Sequence, residues 1–124
     1  MIIPGTFCST FDNSGVLTLA CISLLRNTSK KGATICDSFV AAVKSINPKK
    51  KKIKFKKGSV CLALIIKLNR NICRWNKYYI KSEKIGVIIV NKEMMPLSKR
   101  LFGVVFRELW SISPKVMLLA ELII

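Results

Sequence analysis

The sequence predicts a mainly β domain, built as a closed barrel or a sandwich. Apolar runs of strand length recur along the chain, as at residues 60–68 and 85–91. Turn-forming residues separate such runs, most clearly at Asp12-Asn13-Ser14-Gly15. Short strands joined by turns at this spacing are typical of barrels and sandwiches. Hydrophobic residues make up 51% of the 124 residues, so the chain has enough apolar side chains for a core.

The first predicted element is a hairpin. Residues 9–11 lead into the Asp12-Asn13-Ser14-Gly15 turn, and an apolar run follows at 16–25. Asp and Asn can bond their own backbone, and Gly accepts a positive φ, so the four residues predict a tight turn between two strands.

A third strand is predicted within residues 33–46. Its core candidates are Ile35, Phe39, Val40 and Val43. Pro48 follows the segment and ends it, because proline cannot donate to a strand ladder.

A basic loop is predicted at about residues 47–58. Seven lysines fall within nine residues, and their mutual repulsion excludes them from a core. We expect them to contact the phosphates of an RNA; the alternative is a solvated charged turn. The seven are Lys49, Lys50, Lys51, Lys52, Lys54, Lys56 and Lys57.

The second half of the chain predicts further strands and a helical end. Residues 60–68 read as a strand buried on both faces, and 78–81 with 85–91 as another hairpin. Apolar residues at near-helical intervals over 100–110 predict a helix, and Pro114 could begin a second one. We place the helical segment at about 97–120 and predict that residues 1–124 form a single domain.

Charge is the strongest indication of function. The chain has 22 Lys plus Arg against 6 Asp plus Glu, a formal net charge of +16. Internal pairing cannot neutralise such an excess, so we expect a polyanionic partner. Lysine is a point charge suited to phosphate, and it greatly outnumbers arginine here, which favours backbone docking over base reading.

Several other function classes are disfavoured. The apolar runs are too short for a transmembrane helix, and the first residues show neither a signal nor a transit pattern. The chain has no histidine, no paired carboxylates, no phosphate-cradling Gly-rich loop and no nucleophile elbow, so we expect no enzyme and no cofactor. Five scattered cysteines lack any Cys-x-x-Cys spacing, and we expect reduced, mostly buried thiols and no metal site.

Short motifs run in order along nearly the whole chain: Met1-Ile2, Thr6, Asp12-Asn13-Ser14-Gly15, Cys21-Ile22, Asp37, Val43-Lys44, Lys56-Lys57-Gly58, Val60, Ala63, Arg74, Ile80-Lys81, Val87, Asn91, Arg100-Leu101-Phe102-Gly103, Val105, Arg107-Glu108-Leu109 and Glu121-Leu122-Ile123. In order and spacing they resemble the universal ribosomal protein L-fourteen family of the large ribosomal subunit, in a mitochondrial form. The chain departs from the family pattern where Cys36 and Lys77 replace glycines and where Val104 replaces a proline. We expect these departures to relax or lengthen tight turns.

The resemblance implies a small closed five-stranded β-barrel with a projecting β-ribbon and short C-terminal helices. It also implies a structural role in the large subunit, bound to large-subunit rRNA at the subunit interface. The partners it implies are large-subunit proteins three and nineteen, a bridge to small-subunit rRNA, and the ribosome-silencing factor. A mitochondrial, organelle-encoded protein is expected, with a plastid or the bacterial cytoplasm as alternatives.

Two sets of site residues follow. Besides the seven loop lysines, the expected RNA contacts are Lys30, Lys31, Lys44, Lys67, Arg70 and Arg74. For the last four, which lie at or near strand ends, the alternative is exposure to solvent alone. The expected protein or subunit-interface residues are Lys99, Arg100, Phe102, Arg107 and Trp110. For Arg107 the alternative is an ion pair with Glu108 or Glu93. Phe102 and Trp110 are expected on one apolar helical face, where core packing or a protein neighbour is favoured over base stacking.

The sequence offers two alternative functions. A free-standing oligonucleotide-binding barrel outside the ribosome would need exposed aromatic side chains for base stacking, and Trp75, Tyr78 and Tyr79 are the cluster available. A basic membrane-surface protein would need a long amphipathic helix, whereas the apolar residues here follow strand periods.

Overall fold

The computed structural model describes residues 1–25 and 32–124. Strands dominate these residues, with one 3₁₀ helix and one short α-helix near the C-terminal end. The strands are β1 (Phe7–Thr10), β2 (Val16–Leu24), β3 (Ser38–Ile46), β4 (Val60–Lys67), β5 (Ile72–Cys73), β6 (Tyr79–Ile80), β7 (Gly86–Val90), β8 (Val104–Val105) and β9 (Leu122–Ile123). The 3₁₀ helix is Arg107–Ser111 and α1 is Pro114–Leu119.

Five strands close into a barrel in the order β1-β2-β3-β4-β7, which confirms the predicted fold class. The neighbours β1–β2, β2–β3, β3–β4 and β4–β7 are antiparallel. The barrel closes through a parallel pairing of β1 with β7, in which Ser9 lies opposite Gly86. The predicted hairpin at residues 12–15 joins β1 to β2.

Two hydrophobic clusters explain why β4 and β7 are apolar on both faces. Along β4, Ile65 points into the barrel, where it packs with Leu19 and Phe39. Its neighbours Leu64 and Ile66 point outward into a second cluster, formed with the C-terminal segment. Because side chains alternate across a strand, a strand covered on both sides must be apolar throughout. The prediction of a doubly buried strand is confirmed.

The β-ribbon differs from the predicted second hairpin. The sequence suggested that residues 78–81 pair with 85–91, but β6 pairs with β5, with Ile72 opposite Ile80. Strand β7 pairs with β4 and β1 inside the barrel. All five residues of β7 are buried, so its hydrogen bonds to neighbouring strands lie in the core. Strand β6 is short and partly exposed, and it pairs with the strand that precedes it in sequence.

The C-terminal segment contains less helix than predicted. Residues 104–105 form β8, which pairs in parallel with β9. The preceding Gly103 has φ +75, a left-handed conformation that interrupts a right-handed helix. The near-helical spacing reflects packing of Leu101, Val105 and Leu109 on the outer cluster. The prediction at Pro114 is confirmed, since proline opens α1.

The tight turns persist where glycine is replaced. Cys36 has φ 72 and Lys77 has φ 63, so both keep the left-handed backbone that glycine adopts easily. The expectation that these turns relax was therefore wrong at both positions. A residue with a Cβ is strained in this backbone conformation, at a cost of about 1 kcal/mol at each position.

Candidate nucleic-acid interface

The basic loop joins β3 to β4 and presents its cations to solvent. Six of its seven lysines are exposed: Lys49, Lys51, Lys52, Lys54, Lys56 and Lys57. Within residues 1–25 and 32–124, none of them forms an ion pair with a carboxylate. An uncompensated run of ammonium groups is a strong local source of positive potential.

The loop is folded back over the β1–β2 turn. The ammonium of Lys50 donates hydrogen bonds to the main-chain oxygen and to Oδ1 of Asn13. Ile53 covers Gly15 so closely that a Cβ at that glycine would lie 2.8 Å from Ile53 Cγ1. Phe55 packs against the barrel core. Lys50 and the two apolar residues of the lysine run therefore anchor the loop, and the other six lysines are exposed.

A buried carboxylate fixes the turn on which the loop rests. Asp12 is 6% exposed and accepts hydrogen bonds from the Ile89 amide (3.1 Å) and the Ser14 hydroxyl (2.6 Å). The Asn13 amide donates to the carbonyl of Arg100 at 3.1 Å. The turn is thus bonded to β7 and to the C-terminal segment. Asn13 and Ser14 were predicted first as turn formers and second as RNA contacts, and no role beyond the turn was predicted for Asp12.

A notch of about 100 Å³ opens where the loop meets the turn. It is lined by Asn13, Ser14, Lys52, Lys54, Phe55, Leu97 and Ser98. Two ammonium groups and the Asn13 side-chain amide at one small concavity can donate hydrogen bonds to a phosphate group. The Ser14 and Ser98 hydroxyls, in contrast, already donate to Asp12 and to the Arg100 carbonyl. Ser98 was not predicted, because it is remote in sequence and reaches the notch only in the folded chain.

The other predicted RNA contacts differ in their surroundings. Lys44 and Arg70 are exposed at the ends of β3 and β4. The ammonium of Lys67 lies 3.6 Å from the centre of the Phe11 ring. Burial, and then the charge of Lys84, lowers the pKa of Lys67. Lys30 and Lys31 lie outside the described residues.

Arg74 forms an internal ion pair. Its Nε donates to Oε1 of Glu108 at 2.6 Å and one Nη donates to Oε2 at 3.2 Å. The same Nη donates to the main-chain oxygen of Ile124 at 2.6 Å. The Glu108 carboxylate is therefore paired with Arg74 and not with Arg107. The sequence did not predict this pairing.

The predicted interface residues are all exposed on the C-terminal segment. They are Lys99, Arg100, Phe102, Arg107 and Trp110. Phe102 is 42% exposed and precedes the 3₁₀ helix, whereas Trp110 is 47% exposed within it. The prediction that both lie on one helical face was wrong for Phe102, since that residue is not helical. Neither belongs to a buried cluster, so the core-packing alternative fails.

The cysteines and carboxylates are dispersed. Cys8 and Cys21 are buried, Cys36 and Cys61 are half-buried, and Cys73 is exposed. Burial, with the neighbouring Cys21, raises the pKa of Cys8 to about 11, and burial with the Asp12 charge does the same for Cys61. Such thiols are poor nucleophiles at neutral pH. In the described parts of the chain, no group of three His, Cys, Asp or Glu side chains could hold a metal ion.

No helix among the described residues has the length and apolar character needed to cross a bilayer. The described residues form a barrel that carries a basic loop, a notch of about 100 Å³ and an exposed ribbon.

Comparison with known proteins bears on this surface. The family model described as "Ribosomal protein L14p/L23e" matches residues 1–124. The chain is 38% identical over 113 residues to the large ribosomal subunit protein uL14m of Acanthamoeba polyphaga, covering 88% of this chain and 97% of that one. It is 38% identical over 112 residues to the uL14m of Acanthamoeba castellanii, and the match covers 88% of this chain and 87% of that one. It is 37% identical over 103 residues to the uL14c of Helicosporidium sp. subsp. Simulium jonesii (83% and 82%).

Proposed function

Because this chain belongs to the ribosomal protein L14p/L23e family and is therefore a structural constituent of the ribosome, we propose that it binds large-subunit rRNA at the subunit interface. The observation that carries the proposal is the basic loop. Six exposed lysines without a carboxylate partner in the described structure are held on a rigid turn beside a phosphate-sized notch. Such a surface suits contact with the sugar-phosphate backbone of a folded RNA. Through this contact the protein supports the ribosome and so contributes to translation.

The loop lysines, with Lys44 and Arg70, are proposed as the direct phosphate contacts. Lys30 and Lys31 are proposed with them on sequence alone. Lys67 is proposed to contribute positive potential from its position over Phe11, whereas Arg74, whose charge is paired with Glu108, is proposed to hold the ribbon beside the C-terminal segment. We further propose that residues 1–124 act as one domain.

The exposed C-terminal residues support a second proposed contact. Phe102 and Trp110 are half-exposed apolar side chains, and Lys99, Arg100 and Arg107 add charge beside them. Aromatic and arginine side chains are enriched at protein interfaces. We assign this surface to large-subunit proteins three and nineteen, to the small-subunit rRNA bridge and to the ribosome-silencing factor.

The mitochondrial ribosome is the proposed location, and the gene is proposed to be organelle-encoded. Two relatives of 38% identity carry the name uL14m, which supports the mitochondrion. A relative named uL14c, at 37% identity, keeps a plastid as the alternative.

The salt dependence of binding tests the proposed phosphate contacts. If the full chain makes about seven of them, log K against log salt for a large-subunit rRNA fragment should fall with a slope of roughly −5 to −6. Replacing Lys49, Lys50, Lys51 and Lys52 with serine should flatten this slope by about 3 and weaken subunit assembly. The matched control removes Lys92 and Lys115, which are exposed and lie outside the loop and the ribbon, and is compared with the loop double variant of Lys51→Ser and Lys52→Ser. Equal slopes for these two double variants would exclude the loop from the interface.

The alternative is a free-standing basic oligonucleotide-binding β-barrel outside the ribosome. The exposed Trp75, Tyr78 and Tyr79 favour it, since such proteins stack bases on aromatic rings. Sucrose-gradient fractionation with mass spectrometry separates the two functions. A structural constituent sediments with the large-subunit peak, whereas a free-standing protein remains near the top of the gradient.

A further inference from the structure

The tip of the ribbon carries the three most exposed aromatic side chains of the described residues. Trp75 is 93% exposed, Tyr78 72% and Tyr79 70%. Exposed apolar area of this kind gains free energy only when a partner covers it. Phosphate contacts do not use an aromatic face, so the lysine-based interface leaves these side chains unexplained.

A groove of about 420 Å³ lies beside Trp75, between the ribbon and the 3₁₀ helix. Ile72, Cys73 and Trp75 line it from the ribbon together with Arg74, and Arg107 and Glu108 line it from the helix. Its volume falls in the range of sites that hold a small planar ligand.

The groove is built on a fixed frame. Arg74 holds Glu108 through two hydrogen bonds and reaches Ile124 through a third. The Arg74 amide donates to the Tyr78 carbonyl at 2.8 Å, and the Lys77 amide donates to the Arg74 carbonyl at 2.9 Å. These bonds close the turn that carries Trp75. A ligand would therefore meet a wall whose backbone is already ordered, which lowers the entropic cost of binding.

The polar groups of the groove have complementary roles. Arg107 is exposed and offers a guanidinium to an anion. Burial acts to raise the pKa of Glu108, but the Arg74 hydrogen bond and the charges of Arg74 and Arg107 outweigh it and hold that pKa below its usual value. The carboxylate is thus ionised at neutral pH. Its oxygens keep lone pairs that can accept from an amino or imino group.

Resting on the RNA-binding function proposed above, we infer that this groove takes one unpaired nucleotide of the RNA. Its base stacks on Trp75 and its phosphate faces Arg107, while Glu108 accepts from the edge of the base. A flat ring joined to an anion is the one chemistry that uses the indole and the guanidinium together.

The charges near the ribbon favour RNA over a protein partner. Segment 70–84 carries exposed cations at Arg70, Lys77, Lys81 and Lys84 against one exposed acid, Glu83. An apolar protein surface would have to approach through this positive field. A polyanion is attracted by it, and its unpaired bases supply the rings.

Fluorescence titration of the full chain tests the inference. A Trp110→Phe background leaves Trp75 as the only indole. The probes are a single-stranded RNA oligomer, an abasic ribose-phosphate oligomer of the same length and a duplex of the same sequence. At physiological salt, the single-stranded RNA should quench Trp75 and bind roughly 5- to 100-fold more tightly than the abasic oligomer.

Variants separate stacking from charge. Because the Trp75 variants lack the reporting indole and the abasic oligomer has no base to quench it, affinities are measured by the fluorescence anisotropy of end-labelled oligomers. Trp75→Ala should remove the preference for the base-bearing oligomer without changing the affinity for the abasic one, and Trp75→Phe should keep most of that preference. Serine at Lys49, Lys50, Lys51 and Lys52 should weaken binding of both oligomers equally.

The outcomes distinguish the two proposals. In one outcome the parent binds both oligomers with equal affinity and shows no quenching, while the lysine variant still loses affinity for both. This result would overturn the nucleotide site and leave RNA binding intact. Quenching by the duplex equal to that by the single strand would also overturn it. Failure of every oligomer to bind would overturn both. Loss of Trp75→Ala protein from large subunits without any effect on oligomers would assign the ribbon to a protein partner instead.

Discussion

Arg74 and Glu108 join the ribbon to the C-terminal segment through a two-bond ion pair. The Nε–Oε1 distance is 2.6 Å and the Nη2–Oε2 distance is 3.2 Å. The two side chains are 14% and 28% exposed, so solvent screens the pair only partly. Paired geometry of this kind fixes orientation as well as adding free energy. The contact ties the short ribbon to the 3₁₀ helix.

Glu108→Gln should lower the free energy of unfolding by about 1–2 kcal/mol at pH 7, because charge-assisted hydrogen bonds are replaced by weaker ones. The folded-state pKa of Glu108 is depressed, so its stabilising effect is present above the unfolded-state pKa and is lost as the pH falls through the folded-state value. Urea unfolding should therefore show a difference between parent and variant that disappears in acid. The exposed Glu83→Gln serves as control, and a difference that persists unchanged in acid would contradict the role of this pair.

Gly15→Ala should destabilise the protein more than Gly58→Ala. Both glycines have left-handed backbones, with φ +90 and +87, so the conformational cost of about 1–2 kcal/mol is shared. Only at Gly15 would the new Cβ meet a neighbour, Ile53 Cγ1 at 2.8 Å, whereas nothing lies within 4 Å at Gly58. Thermal unfolding of the two variants isolates the loop contact. Equal losses would mean that Ile53 does not hold the loop on the turn.

Lys77→Gly should raise the free energy of unfolding by about 0.5–1 kcal/mol, because glycine adopts the observed φ of 63 without strain. Lys77→Ala removes the same charge but keeps the strain, and is the matched control. Chemical denaturation compares the two. A glycine variant no more stable than the alanine variant would show that the turn is not strained.

Lys50 and Lys51 should respond differently to serine substitution, although they are neighbours. Lys51 is exposed, so Lys51→Ser should reduce the salt slope for RNA binding by about 1 and leave folding unchanged. Lys50 bonds Asn13, so Lys50→Ser should also lower stability, by about 0.5–1.5 kcal/mol. Salt titration and urea unfolding measure the two effects. The distinction fails if both variants unfold at the same urea concentration as the parent.

Cys73 should be the first thiol alkylated at neutral pH. It is exposed on the ribbon, whereas burial raises the pKa of Cys8 and of Cys61 to about 11. Peptide mapping after a short iodoacetamide pulse should find the label mainly at Cys73, and Cys73→Ser should lose this fast phase. Fast labelling of Cys8 would show that the barrel opens readily.

The sequence predicted the barrel strands well because burial leaves a direct trace in residue type. Residues of β4 and β7 are apolar without alternation, which marks two covered faces. The turn at residues 12–15 was predicted equally well, because its conformation depends on residues within the turn itself. The resemblance to a known family added the strand number and the ribbon. The charge of the lysine run was sufficient to predict an exposed basic loop.

Other features of the site had no local signal. Ser98 reaches the notch and Asp12 accepts from Ile89 only because distant segments meet in the fold. The pairing of β5 with β6 was predicted wrongly, since two-residue strands carry too little pattern to name a partner.

What the sequence determined by itself was which residues are buried, where the chain turns and how large the cationic excess is. These follow from side-chain chemistry and short-range periodicity. Only the tertiary structure decided which cations are free. Lys67 lies over Phe11, Lys50 is bonded to Asn13 and Arg74 is paired with Glu108, while Lys51 and Lys52 are exposed to solvent. The physical reason is that a charge interacts most strongly with the groups within a few ångströms of it in space, and separation along the chain does not specify that distance.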